Sequence, residues 1–210
     1  MNSIKDFMDV FDRKRIEKAW TDLTVILKES YQYFQHIPKS ERGRVLGILF
    51  DERRGLLTFL NYAIDQRDQN KSLESAIIET FQLLTFLIVE FTDVYEPYIE
   101  VTQAVCKLAV TIKAGYYLKS GATKTFVQLV RAFRTSDLDF GPTIVEFLKK
   151  FRLYGPGEKR LLLQIISEIA RYFPQTAVFT RNAKTIRHLL NTEIIQTVMA
   201  SVCSPLESKL

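Results

Sequence analysis

Among its 210 residues the chain has only 8 glycines and 6 prolines. Turns are therefore few, which favours long helices over many short strands. It has 2 cysteines, Cys106 and Cys203, far apart and each in a helical-looking segment. A disulfide framework or a zinc site needs more ligands at closer spacing, so both read as small buried hydrophobes. Long apolar runs are missing too. The longest, Leu83 to Val89, is interrupted by Thr85 and bounded by Gln82 and Glu90, well short of the ~20 residues that span a bilayer. The first residues, "MNSIKDFMDVFDRKR", have no apolar signal core, and Asp6, Asp9 and Asp12 argue against a mitochondrial transit peptide. The expectation is a soluble protein without a membrane span. Asn70-Lys71-Ser72 fits a glycosylation sequon, but with no secretory signal before it the match reads as chance.

Catalytic motifs are equally scarce. There are 2 histidines, His36 and His188, and neither belongs to an H-E-x-x-H element; no G-x-S-x-G occurs. Nothing local supports pairing Cys106 with His188 as nucleophile and base. Asp51-Glu52 and Asp137/Asp139 sit in polar contexts typical of loops and caps. "YGPGEKR" places Gly155, Gly157 and Lys159 before a helix, but the glycine spacing departs from a phosphate loop, Arg160 stands where a hydroxyl residue is needed, and no strand precedes. It reads as a turn, with at most a bare helix start for an anion. No catalytic residue, metal ligand or cofactor site is assigned, and the expectation is a non-enzyme.

What the chain does have is apolar content, 47% of residues, with 15 Phe and 9 Tyr at helical spacing that reads as core. Ser3 with Asp6 predicts an N-cap for a first helix, and Asp12 a cap for a second. In that second helix Ile16, Trp20, Leu23, Leu27 and Phe34 form one stripe. Ser40 restarts a helix whose apolar face is Val45, Leu46, Leu49 and Phe50, and Gly55 marks a kink. Ser72 opens "SLESAIIETFQLLTFLIVEF", apolar nearly all round, as suits the middle of a packed assembly. Glu96-Pro97 starts a helix running to Ala114-Gly115. "TKTFVQLVRAF", "TIVEFLKKFRL" and "EKRLLLQIISEIARYF" follow, then two helices around "KTIRHLL" and "EIIQTVMASV" separated at Asn191-Thr192.

The total is about ten helices of roughly 10–20 residues with short loops and no period-two segment. Helix pairs recur every ~35–45 residues, and "FVQLVRAF" from Phe126 is echoed by "LLQIISEIARYF" from Leu162. On these features the sequence resembles armadillo/HEAT-type helical repeats. The resemblance implies an all-α right-handed superhelix over residues 1–203 and a role in protein–protein interaction or scaffolding, while Pro205 ends the last predicted helix and leaves 204–210 as an expected flexible tail. An irregular helical bundle is the alternative.

Charge is uneven. Residues 1–100 hold 13 Lys/Arg against 17 Asp/Glu, and residues 101–210 hold 16 against 7. Lys149, Lys150, Arg152, Lys159, Arg160, Arg171, Arg181, Lys184 and Arg187 fall on successive predicted helices or their turns. They are the candidate partner-binding residues, with an acidic protein segment as the favoured partner. Nucleic acid or a phosphoinositide is the second reading of the same surface, and a helical-bundle lipid carrier or enzyme the third. The chain ends Ser208-Lys209-Leu210, which resembles a receptor-read peroxisomal address. Cytoplasm or nucleus is the expected location, with the peroxisome as the alternative.

Overall fold

The computed structural model describes residues 3–66, 70–113 and 115–173. These residues contain nine α-helices and no strand. The predicted last two helices with Asn191-Thr192, the tail and its Ser208-Lys209-Leu210, and the candidates Arg181, Lys184 and Arg187 lie outside them. Within the span read from sequence as one domain, the chain divides into two compact units at Arg134/Thr135.

The first unit contains α1 (Ile4–Ile16), α2 (Trp20–Gln35), α3 (Lys39–Leu49), α4 (Leu56–Gln66), α5 (Lys71–Glu90), α6 (Ile99–Thr111) and α7 (Tyr116–Ala132). The second contains α8 (Gly141–Lys150), a 3₁₀ turn at Phe151–Leu153 and α9 (Pro156–Tyr172). α1 starts as predicted: the Ser3 hydroxyl accepts the Asp6 amide N–H at 3.1 Å. Several other boundaries differ from expectation. Asp12 does not cap α2; it lies inside α1 and holds Arg15 one turn on. Ile16 therefore ends α1, 69% exposed, instead of joining the α2 stripe. The chain reverses through Lys18, whose φ of 54° is left-handed, and no glycine or asparagine announces it. α5 is capped by Asn70, which accepts the Ser72 N–H at 2.8 Å, two residues before the predicted start. Gly55 marks a full break between α3 and α4, not a kink: a Cβ there would meet the Leu49 and Asp51 carbonyl oxygens at 2.7 and 2.5 Å. α6 begins only after a 3₁₀ turn at Glu96–Tyr98 and ends at Thr111, short of Ala114-Gly115.

The first unit is built as a row. α5 packs against α2, α4 and α7, and α6 against α4 and α7. The register shows the direction of the row. Lys28 of α2 reaches Glu79 of α5 at 3.6 Å, and Tyr31 meets Phe86 edge-on at 5.5 Å. Further along, Glu74 lies over Gly115 at the start of α7, and Thr125 bonds to Phe81 and Thr85. Partner numbers rise together in both pairs, so α2, α5 and α7 run parallel. Short connections pair α1 with α2, α4 with α5 and α6 with α7 as hairpins.

Central position explains the composition of α5. Leu73, Ala76, Ile77, Phe81, Leu83, Leu84, Leu87 and Ile88 point in several directions, and all are buried. By length and composition alone α5, at 20 residues, is also long and apolar enough to cross a membrane, although the sequence shows only a short unbroken apolar run. In this fold half of that apolar window is buried by neighbouring helices. The aromatics do form core. Phe7 meets Phe34 and Phe11 meets Phe59 edge-on at 5.5 and 5.6 Å, and Trp20 lies 6.2 Å from Phe59. Each such ring adds roughly 1.5–3 kcal/mol by burial. Arg42 of α3 closes the C-terminal end of α5: it donates to the Glu90 carbonyl, lies 4.8 Å over the Phe91 ring and pairs with Asp93.

Candidate functional site: a basic corner and a polar groove

The six candidate cations within the described residues all lie in the second unit. Ile144, Phe147, Phe151, Leu162, Ile165 and Ile169 supply buried apolar contacts there, which turns the charged faces of α8 and α9 outward. Lys149 and Lys150 occupy the last turn of α8 and Arg152 the 3₁₀ turn, while Lys159 and Arg160 follow in the first two turns of α9. The corner centres on Phe151, flanked in the chain by Lys150 and Arg152, with the Lys159 ammonium 5.7 Å over its ring. Leu153 beside it is 83% exposed. Arg171 does not join this corner. Eleven residues further along α9 than Arg160, it lies about 16 Å away at 1.5 Å per residue.

Part of this charge is neutralised within the unit. Lys150 lies 3.5 Å from Glu146 and Arg171 3.7 Å from Glu168. Residues 135–173 carry six Lys/Arg against five Asp/Glu, so the described part of this unit is nearly neutral. The positive excess lies earlier: residues 101–134 hold six Lys/Arg and no acidic residue at all.

Other sequence features resolve into structural roles. The start of α9 is not bare, since the Glu158 carboxylate occupies the space beside Gly155, 2.8 Å from where a Cβ would sit. An anion has no vacant place there. Asp139 accepts the Gly141 N–H at 2.8 Å at the start of α8. Asp51 accepts the N–H groups of Arg53 and Arg54, and these bonds hold its carboxyl below the usual range. Cys106 is fully buried, and burial pushes its thiol pKa up, away from a nucleophilic thiolate. Burial likewise raises the Tyr95 phenol, whose hydroxyl bonds to Thr102 at 2.8 Å.

Sequence reading missed a groove of about 360 Å³ between α5 and α7. Ile78, Gln82 and Thr85 line it from α5, and Tyr117, Ser120 and Lys124 from α7, with Gly121 at its floor. Each set steps by three or four residues and so occupies one helical face. Thr85 and Thr125 fix the floor: their hydroxyls bond at 2.8 Å, and each also reaches the Phe81 carbonyl, at 2.8 and 2.9 Å. Each hydroxyl has one proton, so one donates to the Phe81 carbonyl while the other either joins it there or donates to its neighbour. Gln82, Ser120 and Lys124, by contrast, engage no other side chain among the described residues. Tyr117 is 77% exposed, and its ring meets that of the neighbouring Tyr116 at 6.2 Å between centroids. No single segment announces this site, because its two walls lie about forty residues apart. The available signal was the acid-free stretch 101–134.

Among the described residues no group of three or more His, Cys, Asp or Glu is placed to hold a metal ion. Compared with protein-family models, with curated proteins and with solved structures, the chain matches none.

Proposed function

We propose that the chain is a non-enzymatic helical-repeat module that binds an acidic segment of a partner protein through the basic surface of its second half. One observation carries the reading: three hairpins stack so that α2, α5 and α7 run parallel, and Lys124 and Arg134 stand exposed on and just after the last of these helices. Stacked hairpins with parallel second helices are the arrangement of armadillo/HEAT-type arrays, whose repeated faces form extended binding surfaces. Lys124 and Arg134 are exposed in the first unit, and Lys149, Arg152 and Arg160 are exposed in the second.

Fluorescence anisotropy with a labelled oligoglutamate peptide and a labelled DNA duplex tests this. The peptide is expected to bind, and reversal of Lys149, Arg152 and Arg160 to Glu to weaken it at least several-fold. Absence of peptide binding refutes the reading. Tighter binding of the duplex, with affinity falling steeply as salt rises, would favour nucleic acid instead.

A further inference from the structure

The groove between α5 and α7 has a size, a polarity and a charge, and together they specify an occupant. From Tyr117 to Lys124 is seven residues of helix, about 10 Å. An extended chain at about 3.3 Å per residue places three residues in that length. Ile78 and the Tyr117 ring offer apolar surface at one end, and Lys124 stands exposed at the other. Between them the Gln82 amide and the Ser120 hydroxyl are free to bond, matching the N–H and C=O groups of an extended backbone. The acids of α5 nearest in sequence are occupied elsewhere: Glu79 faces Lys28 of α2 and Glu74 lies over Gly115. Lys124 therefore has no carboxylate partner among the described residues.

We infer that this groove docks an extended protein segment, with an Asp or Glu side chain on Lys124 and an apolar side chain, about two residues away, between Ile78 and Tyr117. The inference rests on the proposed interaction role and specifies where one part of the partner sits. Charge complementarity selects peptide over nucleic acid. A duplex presents one phosphate per ~1.7 Å of its axis, about six over this length, against a single lysine. One lysine instead matches one carboxylate, and the adjoining apolar surface supplies the remaining contact area.

Selection of a displayed library of random seven-residue peptides on the purified full chain tests the inference, followed by anisotropy with the enriched peptides. The expected motif is an acidic residue two positions from an apolar one. Lys124→Glu should weaken these peptides by about tenfold or more, and Tyr117→Ala by about threefold or more. Both side chains are exposed, so circular dichroism and thermal melting should stay as in the unmodified chain. Repeating the selection on Lys124→Glu should replace the acidic position by a basic one. Enrichment of no acidic motif overturns the inference. So does equal binding of acidic peptides to Lys124→Glu; if those peptides are lost on reversing Lys149, Arg152 and Arg160, the interaction role survives and only the groove assignment falls. Self-association abolished by Lys124→Glu, with no peptide enriched, would make a second copy the occupant and overturn the peptide assignment.

Discussion

α5 and α9 are both long helices rich in aliphatic residues, yet they solve different problems. In α5 the buried residues face several directions because α2, α4 and α7 each cover a side. In α9 Leu161, Leu162, Ile165, Ile166 and Ile169 form one face, and Arg160, Gln164, Ser167 and Arg171 remain exposed on the other. Damage at the centre of α5 should therefore spread through the first unit, whereas damage in α9 should stay local.

The largest effect is expected from Phe81→Ala, which empties a fully buried site and removes a ring beside the Thr85–Thr125 crossing. It should cost about 3–5 kcal/mol. Trp20 is the chain's single tryptophan and packs on Phe59, so its fluorescence during urea unfolding follows the first unit. Leu162→Ala in α9 should cost about 2–4 kcal/mol by far-ultraviolet dichroism, while leaving the Trp20 midpoint in place. A Trp20 midpoint that moved equally in both variants would erase the distinction between the units.

Smaller changes refine it. Thr125→Val keeps the shape but removes the hydroxyl shared with Thr85 and the Phe81 carbonyl; a loss of about 1 kcal/mol is expected in the Trp20 transition. Asn70→Ala removes the cap of α5 and should cost a similar ~1 kcal/mol. Asp51 gives a pH test. Its carboxyl is held below the usual range in the folded chain by two backbone N–H bonds, so its contribution is present above the ordinary aspartate pKa and fades as pH falls through the lowered one. A carboxyl NMR titration of Asp51 should show the low midpoint in the folded chain and an ordinary one in urea. Least affected should be Arg171→Gln: Glu168 is buried, but the Arg171 end of the pair is exposed and screened by solvent, so about half a kcal/mol or less is expected.

The helices were legible wherever a local signal decides them. Ser3 caps α1, and the all-round apolarity of α5 anticipated its central place. Boundaries failed where the deciding interaction was not announced by residue type. Asp12 resembles a cap, but its carboxylate has Arg15 within reach and the helix runs on to a left-handed Lys18. Ser72 resembles a helix start as well, yet Asn70 takes the cap, its side-chain oxygen accepting the Ser72 N–H. For the site, the half-chain charge count was correct but coarse. It could not show that Glu146 and Glu168 offset Lys150 and Arg171, nor that residues 101–134 contain no acidic residue of their own. The α5–α7 groove was illegible because it exists only once two distant helical faces are aligned.

That alignment has an electrostatic consequence. Three parallel helices bring their positive N-terminal ends to one edge of the row and their negative ends to the other. α2 answers with Asp22 and α5 with Glu74 in their first turns, but α7 has no acid of its own there. Glu74 lies over Gly115 instead, so a single carboxylate serves the starts of two neighbouring helices. A Cβ at position 115 would meet its Oε1 at 2.8 Å, so a side chain there would shift the carboxylate that couples one hairpin to the next.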